Sequence, residues 1–125
     1  MERGIACIKG ASAQVDIEVD GHLLAADASA SAAGVAPSQY GLLLASLAAC
    51  TALTLGQFAA ARQWPLEALD VYLTLEREPD GMHIDRMLFV TGLDRQCQEE
   101  LLHLAHQTPL TLILGRSMPI NTILI

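Results

Sequence analysis

A chain of 125 residues has room for one hydrophobic core, so residues 1–125 are expected to form a single domain. Seven Lys and Arg against 14 Asp and Glu give a formal net charge of -7, which repels phosphate backbones and excludes a nucleic-acid partner. Hydrophobic residues make up 52% of the chain but aromatic ones only 4%, so Ala, Leu, Ile and Val must fill the interior; a mean hydropathy of +0.37 leaves apolar surface outside it, which points to an oligomer.

The chain opens with strand-like alternation. Val15, Ile17 and Val19 are apolar between Gln14, Asp16, Glu18 and Asp20, and Asp20-Gly21 is a hairpin turn signal before His22-Leu23-Leu24. Residues 27–38, rich in Ala, Ser, Gly and Pro without period, read as a loop. A long helix is expected from about Pro37-Ser38, where Ser38 can cap free N–H groups, because no proline interrupts the run before Pro65. No charged residue occurs between Asp27 and Arg62, and the segment from Leu42 to Ala61 is long enough to span a bilayer. Its Ala and small polar residues, with acidic rather than basic flanks, fit a buried helix of a soluble protein better, so no membrane is expected.

A second hairpin follows, with Ala68 to Glu76 running up to Pro79-Asp80-Gly81 and Met82 to Thr91 returning. Asp94 should cap a shorter helix whose Cys97, Leu101, Leu104, Ala105 and Thr108 share one face, and Pro109 should end or bend it. Pro119 to Ile125 is apolar and β-branched enough for a last strand. The elements make an α+β domain of antiparallel sheets around a long central helix plus a second, shorter one.

Cys7, Cys50 and Cys97 are odd in number, widely separated and without zinc-type spacing, which reads as free thiols in a reducing cytoplasm. Met1-Glu2-Arg3-Gly4 lacks the basic-then-apolar run of an export signal, which agrees with a cytoplasmic location. Cys50 lies among small residues, Leu47-Ala48-Ala49-Cys50-Thr51-Ala52, that let a substrate or another element approach its sulfur; the same setting equally suits a small core residue. Cys97 is its rival, since it falls in the first turn of the shorter helix, where unpaired N–H groups favour a thiolate. Glu99, His103 and His106 share a helix face, but no further His or Cys offers a second cluster, so neither a metal nor a cofactor is expected.

The segment from Gly34 through Pro37-Ser38-Gln39-Tyr40-Gly41 to Leu42-Leu43-Leu44-Ala45-Ser46-Leu47-Ala48-Ala49-Cys50-Thr51 resembles the signature of the OsmC/Ohr family of thiol-dependent hydroperoxide reductases. The resemblance continues through Gly21 to Asp27, Arg62-Gln63-Trp64-Pro65-Leu66-Glu67, Ile84-Asp85-Arg86, Leu101 to Ala105, and Pro109. It implies an OsmC-like fold, an intertwined homodimer and a peroxidatic thiol at Cys50, whose sulfenic acid a second Cys captures before a dithiol reduces the disulfide. Thr108 stands at the position of that resolving Cys, and Tyr40 and Gly41 stand where the family places a carboxylate that partners an Arg. The resemblance therefore implies a divergent hydroperoxide reductase that uses a one-Cys route, with an external thiol or dithiol as reductant, in oxidative-stress defence. The alternative is a catalytically degenerate binding protein for a small apolar or thiol-bearing ligand.

Overall fold

The computed structural model describes residues 1–7, 14–27, 36–116 and 118–125, which fall into two compact units, Met1–Ala45 and Ser46–Ile125. In the first unit, β1 (Gly4–Cys7), β2 (Gln14–Val19) and β3 (His22–Asp27) form an antiparallel sheet in that order. Asp20 and Gly21, both at positive φ (49° and 83°), make the tight turn between β2 and β3, as the Asp-Gly pair predicts. The Arg3 N–H donates to the Asp20 carboxylate at 3.0 Å, which seats β1 beside that turn. Sequence alternation did not disclose β1, because its four residues are too few to show a period. Most of the expected loop over 27–38 lies outside the described residues.

The helix α1 (Gln39–Ala61) starts in this unit and continues into the second. Ser38 caps it as expected, its Oγ accepting the Gly41 N–H at 3.1 Å. Leu47, Thr51, Leu55 and Ala59 are its buried residues, an unbroken i, i+4 stripe down one side. Among the described residues it is the one helix long and apolar enough to cross a membrane, but that stripe packs into a protein core.

The second unit carries the antiparallel hairpin of β4 (Ala68–Glu78) and β5 (Gly81–Thr91), joined at Pro79-Asp80. Its register sets Leu69 opposite Val90, Val71 opposite Leu88, Leu73 opposite Arg86 and Leu75 opposite Ile84, and these eight residues form its half-buried face. Asp94 caps α2 (Arg95–Ala105) by accepting the Cys97 N–H at 2.8 Å. That bond holds the Asp94 carboxyl below the usual carboxylate range, so the cap persists well into acid. The core gathers Leu55 of α1, Leu101 and Ala105 of α2, and Leu93, with Phe58, Trp64, Leu69, Leu88 and Val90 packed around them. Fully buried Leu55 and Leu101 contribute about 1.5–3 kcal/mol each by leaving water.

Two expectations change at the C-terminal end. α2 ends at Ala105, so Thr108 lies outside it, and Pro109 instead starts a third helix, α3 (Pro109–Leu114), because a proline at the first helical position withholds an N–H that would be unpaired there anyway. Pro119 to Ile125 has no regular structure and is exposed, not a strand, since among the described residues no neighbouring strand offers it a ladder.

Gly92 joins β5 to α2 at φ +97°, and a Cβ there would lie 2.5 Å from the Pro65 carbonyl oxygen and 2.8 Å from the Glu67 backbone nitrogen. Gly92→Ala is expected to destabilise the protein by about 2–4 kcal/mol, from the left-handed backbone and the clash together, read as a lower midpoint in a denaturant melt.

Candidate active site

Cys50 lies at mid-length of α1, half-buried, one residue before buried Thr51 and therefore on the flank of the stripe that enters the core. Its helical neighbours Leu47 and Thr51 fix what meets it. The Thr51 hydroxyl donates to the Leu47 carbonyl oxygen at 2.8 Å, which turns the oxygen lone pairs outward from the helix. Arg86 of β5 occupies that position, its Nη1 donating to Thr51 Oγ1 at 3.0 Å.

Arg86 is the one charged side chain among the eight half-buried residues of the hairpin's inner face, so it must find partners there. Nη1 also donates to Thr111 Oγ1 of α3 at 2.9 Å, and Nη2 donates to the Ala105 carbonyl oxygen at 2.6 Å. Ala105 is the last residue of α2, where unpaired carbonyls and the helix dipole favour a cation. Burial pulls the guanidinium below the usual arginine range, and the negative charge of a Cys50 thiolate opposes that pull. Arg86 remains protonated throughout. Among the described residues its hydrogen-bond acceptors are two hydroxyls and a carbonyl, all neutral.

Thr108, at the place of the family's resolving Cys, is fully buried and caps α3 by position, without a hydrogen bond from its side chain to a backbone N–H of that helix. Its hydroxyl is 2.6 Å from that of Thr111, so it belongs to the same cluster as Arg86. A cavity of about 550 Å³ opens beside the cluster, lined by Arg86, Thr111, His83, Asp85 and His106 together with apolar Leu47, Leu75, Ile84, Leu88 and Leu102. Its size suits a small-molecule ligand. Cys50 does not itself line it; the cavity reaches α1 one turn earlier, at Leu47.

The other sequence candidates are placed elsewhere. Cys97 is in the first turn of α2 as expected, but the N–H group there is committed to Asp94. Burial first, then the Asp94 carboxylate and Glu100, push the Cys97 thiol up, which disfavours the expected thiolate. Cys7 is exposed on β1 of the first unit. Glu99 forms an exposed ion pair with Arg95 at 3.3 Å, and among the described residues no group of three His, Cys, Asp or Glu is placed to hold a metal ion. Tyr40 and Gly41 sit in the first turn of α1, with Gly41 engaged by the Ser38 cap.

Sequence reasoning did not single out Thr51 and Thr111, and it left open which arginine approaches Cys50. The available signal was the period-two pattern Ile84, Arg86, Leu88, Val90, but Met87 and Phe89 make the opposite face apolar as well.

The sequence profile of a family described as OsmC-like protein matches residues 29–122. An OsmC-like protein from Mycoplasma pneumoniae has a similar solved structure, with a TM-score of 0.76 at 18% identity, covering 92% of this chain and 87% of that one. The organic hydroperoxide resistance protein OhrB of Bacillus subtilis is similar with a TM-score of 0.64 at 23% identity over 90% of this chain and 88% of its own. An organic hydroperoxide resistance protein OsmC from Legionella pneumophila gives the same score and identity, covering 90% of this chain and 87% of that one. No curated protein matches. The likeness to these structures is one of fold; with the family profile extending over well more than half of the sequence and the signature around Cys50 inside it, the chain belongs to the OsmC-like protein family.

Proposed function

We propose that the protein is a thiol-dependent hydroperoxide reductase in which Cys50 is the peroxidatic thiol and Arg86 the cation that favours its thiolate. The observation that carries this reading is the placement of the Arg86 guanidinium 3.0 Å from Thr51, the residue after Cys50, with no carboxylate of the described residues among its hydrogen-bond acceptors. Its charge is left for the sulfur. Membership of the OsmC-like family, and the fold shared with proteins described as organic hydroperoxide resistance proteins, support the same chemistry.

The Cys50 thiolate attacks the terminal oxygen of an alkyl hydroperoxide; an S–O bond forms as the O–O bond breaks, and the departing alkoxide takes a proton from solvent to leave as an alcohol. Sulfur is oxidised by two electrons to the sulfenic acid. Thr108 offers a hydroxyl where a disulfide needs a thiol, so an external thiol attacks the sulfenic sulfur and releases water. A second thiol equivalent then frees Cys50 and leaves as the disulfide, closing the cycle in a reducing cytoplasm.

The assembly proposed is a homodimer of one OsmC-like domain per chain. Only 22% of the apolar window in α1 is buried within the chain, and Leu53 on that helix, Tyr72, Met87 and Phe89 on the outer face of the hairpin, and the apolar C-terminal segment are all exposed. Covering such surface is what a second copy supplies.

Exposure to cumene hydroperoxide followed by a sulfenic-acid trap tests the reading: the adduct is expected on the Cys50 peptide, and its absence with alcohol production unmeasurable overturns it. In that case the cavity beside Arg86, with Leu47, Leu75, Ile84, Leu88 and Leu102 in its wall, favours the second reading, a binding protein for a small apolar ligand, which predicts ligand-dependent stabilisation without turnover.

A further inference from the structure

We propose that the hydroxyls of Thr51 and Thr111 are positioning residues: together with the Ala105 carbonyl they form a neutral clamp that aims the Arg86 guanidinium at Cys50 in the place of a carboxylate. The proposal rests on Cys50 and Arg86 acting as the reactive pair.

Each arm of the clamp comes from a different element. Thr51 reaches in from α1, Ala105 from the C-terminal end of α2 and Thr111 from α3, while Arg86 stands on β5. Both hydroxyls are locked as acceptors toward the guanidinium because their protons have other uses. Thr51 gives its proton to the Leu47 carbonyl at 2.8 Å. Thr111 is 3.3 Å from the Ala105 carbonyl and 2.6 Å from the Thr108 hydroxyl, so it can give its proton to the carbonyl and accept one from Thr108. A buried network with every member satisfied is rigid, and no buried side-chain nitrogen or oxygen among the described residues lacks a partner. Thr108 thus serves as the outer support of the clamp at a position where its hydroxyl cannot form a disulfide.

Neutrality is the functional point. A carboxylate holding the guanidinium would offset its field at the sulfur, since two opposite charges a few ångström apart look like a dipole from the next site. Hydroxyls hold the same fork through their lone pairs and leave the charge whole. Because Thr51 follows Cys50 on the same helix, the clamp also fixes the distance from guanidinium to sulfur through one rigid element.

The test measures the rate of Cys50 alkylation by iodoacetamide against pH, followed on the Cys50 peptide by mass spectrometry so that Cys7 and Cys97 do not contribute. Thr111→Val is expected to slow alkylation at pH 7 by about 3- to 10-fold and to move the midpoint of the rate–pH curve upward, with Thr111→Ser restoring both. Thr111→Asp, which keeps a strong acceptor but adds a charge, is expected to slow it as well. An unchanged midpoint in Thr111→Val with a lowered melting temperature would make the hydroxyl merely structural and overturn the proposal, as would a Thr111→Asp protein as reactive as the parent. If Thr111→Val does not fold, Thr51→Val must give the same upward movement or the clamp is refuted. Arg86→Met in the same assay separates the two levels: no change there sinks the reactive pair itself, whereas a change there without one in the threonine variants sinks only the clamp.

Discussion

Cys50→Ser is expected to bring hydroperoxide consumption down to the uncatalysed rate, a loss on the order of 1,000-fold or more, because a serine hydroxyl at neutral pH is not ionised and does not attack the O–O bond. The comparison is alcohol formed from cumene hydroperoxide with dithiothreitol as reductant, parent against variant at equal protein concentration. The other two thiols give no reason to expect rescue. Cys7 sits exposed at the edge of the first unit's sheet, and Cys97 has its thiol pushed up by burial, Asp94 and Glu100. Oxygen replaces sulfur at nearly the same volume on a half-buried flank of α1, so the fold should be retained and circular dichroism should not change. Turnover that survives in Cys50→Ser would move the chemistry to Cys97 or Cys7 and end the proposed mechanism.

Arg86→Met should produce the second largest effect. The methionine matches the length of the arginine stem and keeps the inner face of the hairpin apolar opposite Leu73, but removes the cation held at Thr51, the residue after Cys50. At pH 7 the rate of reaction with hydroperoxide is expected to fall about ten-fold or more, recovering as the pH is raised, because alkali then supplies the thiolate that the guanidinium favoured. Arg86→Lys should fall between the two: it keeps the charge but loses the planar fork that reaches Thr51, Thr111 and Ala105 together. A stability cost accompanies either change, since the Ala105 carbonyl at the end of α2 loses a charge-assisted partner. Thermal melts separate that cost from the kinetics. An Arg86→Met enzyme with the parent's rate and pH profile would show that the sulfur owes nothing to this guanidinium.

Local chemistry was readable wherever a residue acts on its immediate neighbours. Asp20-Gly21 marked a turn because few residues tolerate two successive positive φ angles, Ser38 and Asp94 marked helix starts because their short side chains reach back to free N–H groups, and alternation marked both hairpins. The family signature drew attention to Cys50. Errors gathered where a segment's state depends on what lies beside it. Pro109, expected only to end or bend a helix, starts a new one, and Pro119 to Ile125, apolar enough for a strand, finds no ladder to join among the described residues.

The sequence by itself determined the α+β class, the two hairpins with a helix after each, the absence of charge from the long helix and the thiol at its middle, since propensity, capping and period are properties of neighbours along the chain. Only the tertiary structure decided which cation meets that thiol. Arg86 is 35 residues from Thr51 and 25 from Thr111, and β5 has two apolar faces, so nothing local says which one turns toward α1. Packing made that choice by burying Leu88 and Val90 against Leu55 and Leu101, and the arginine two residues before Leu88 was carried inward with them, to be held by whatever hydroxyls and carbonyls lay within reach.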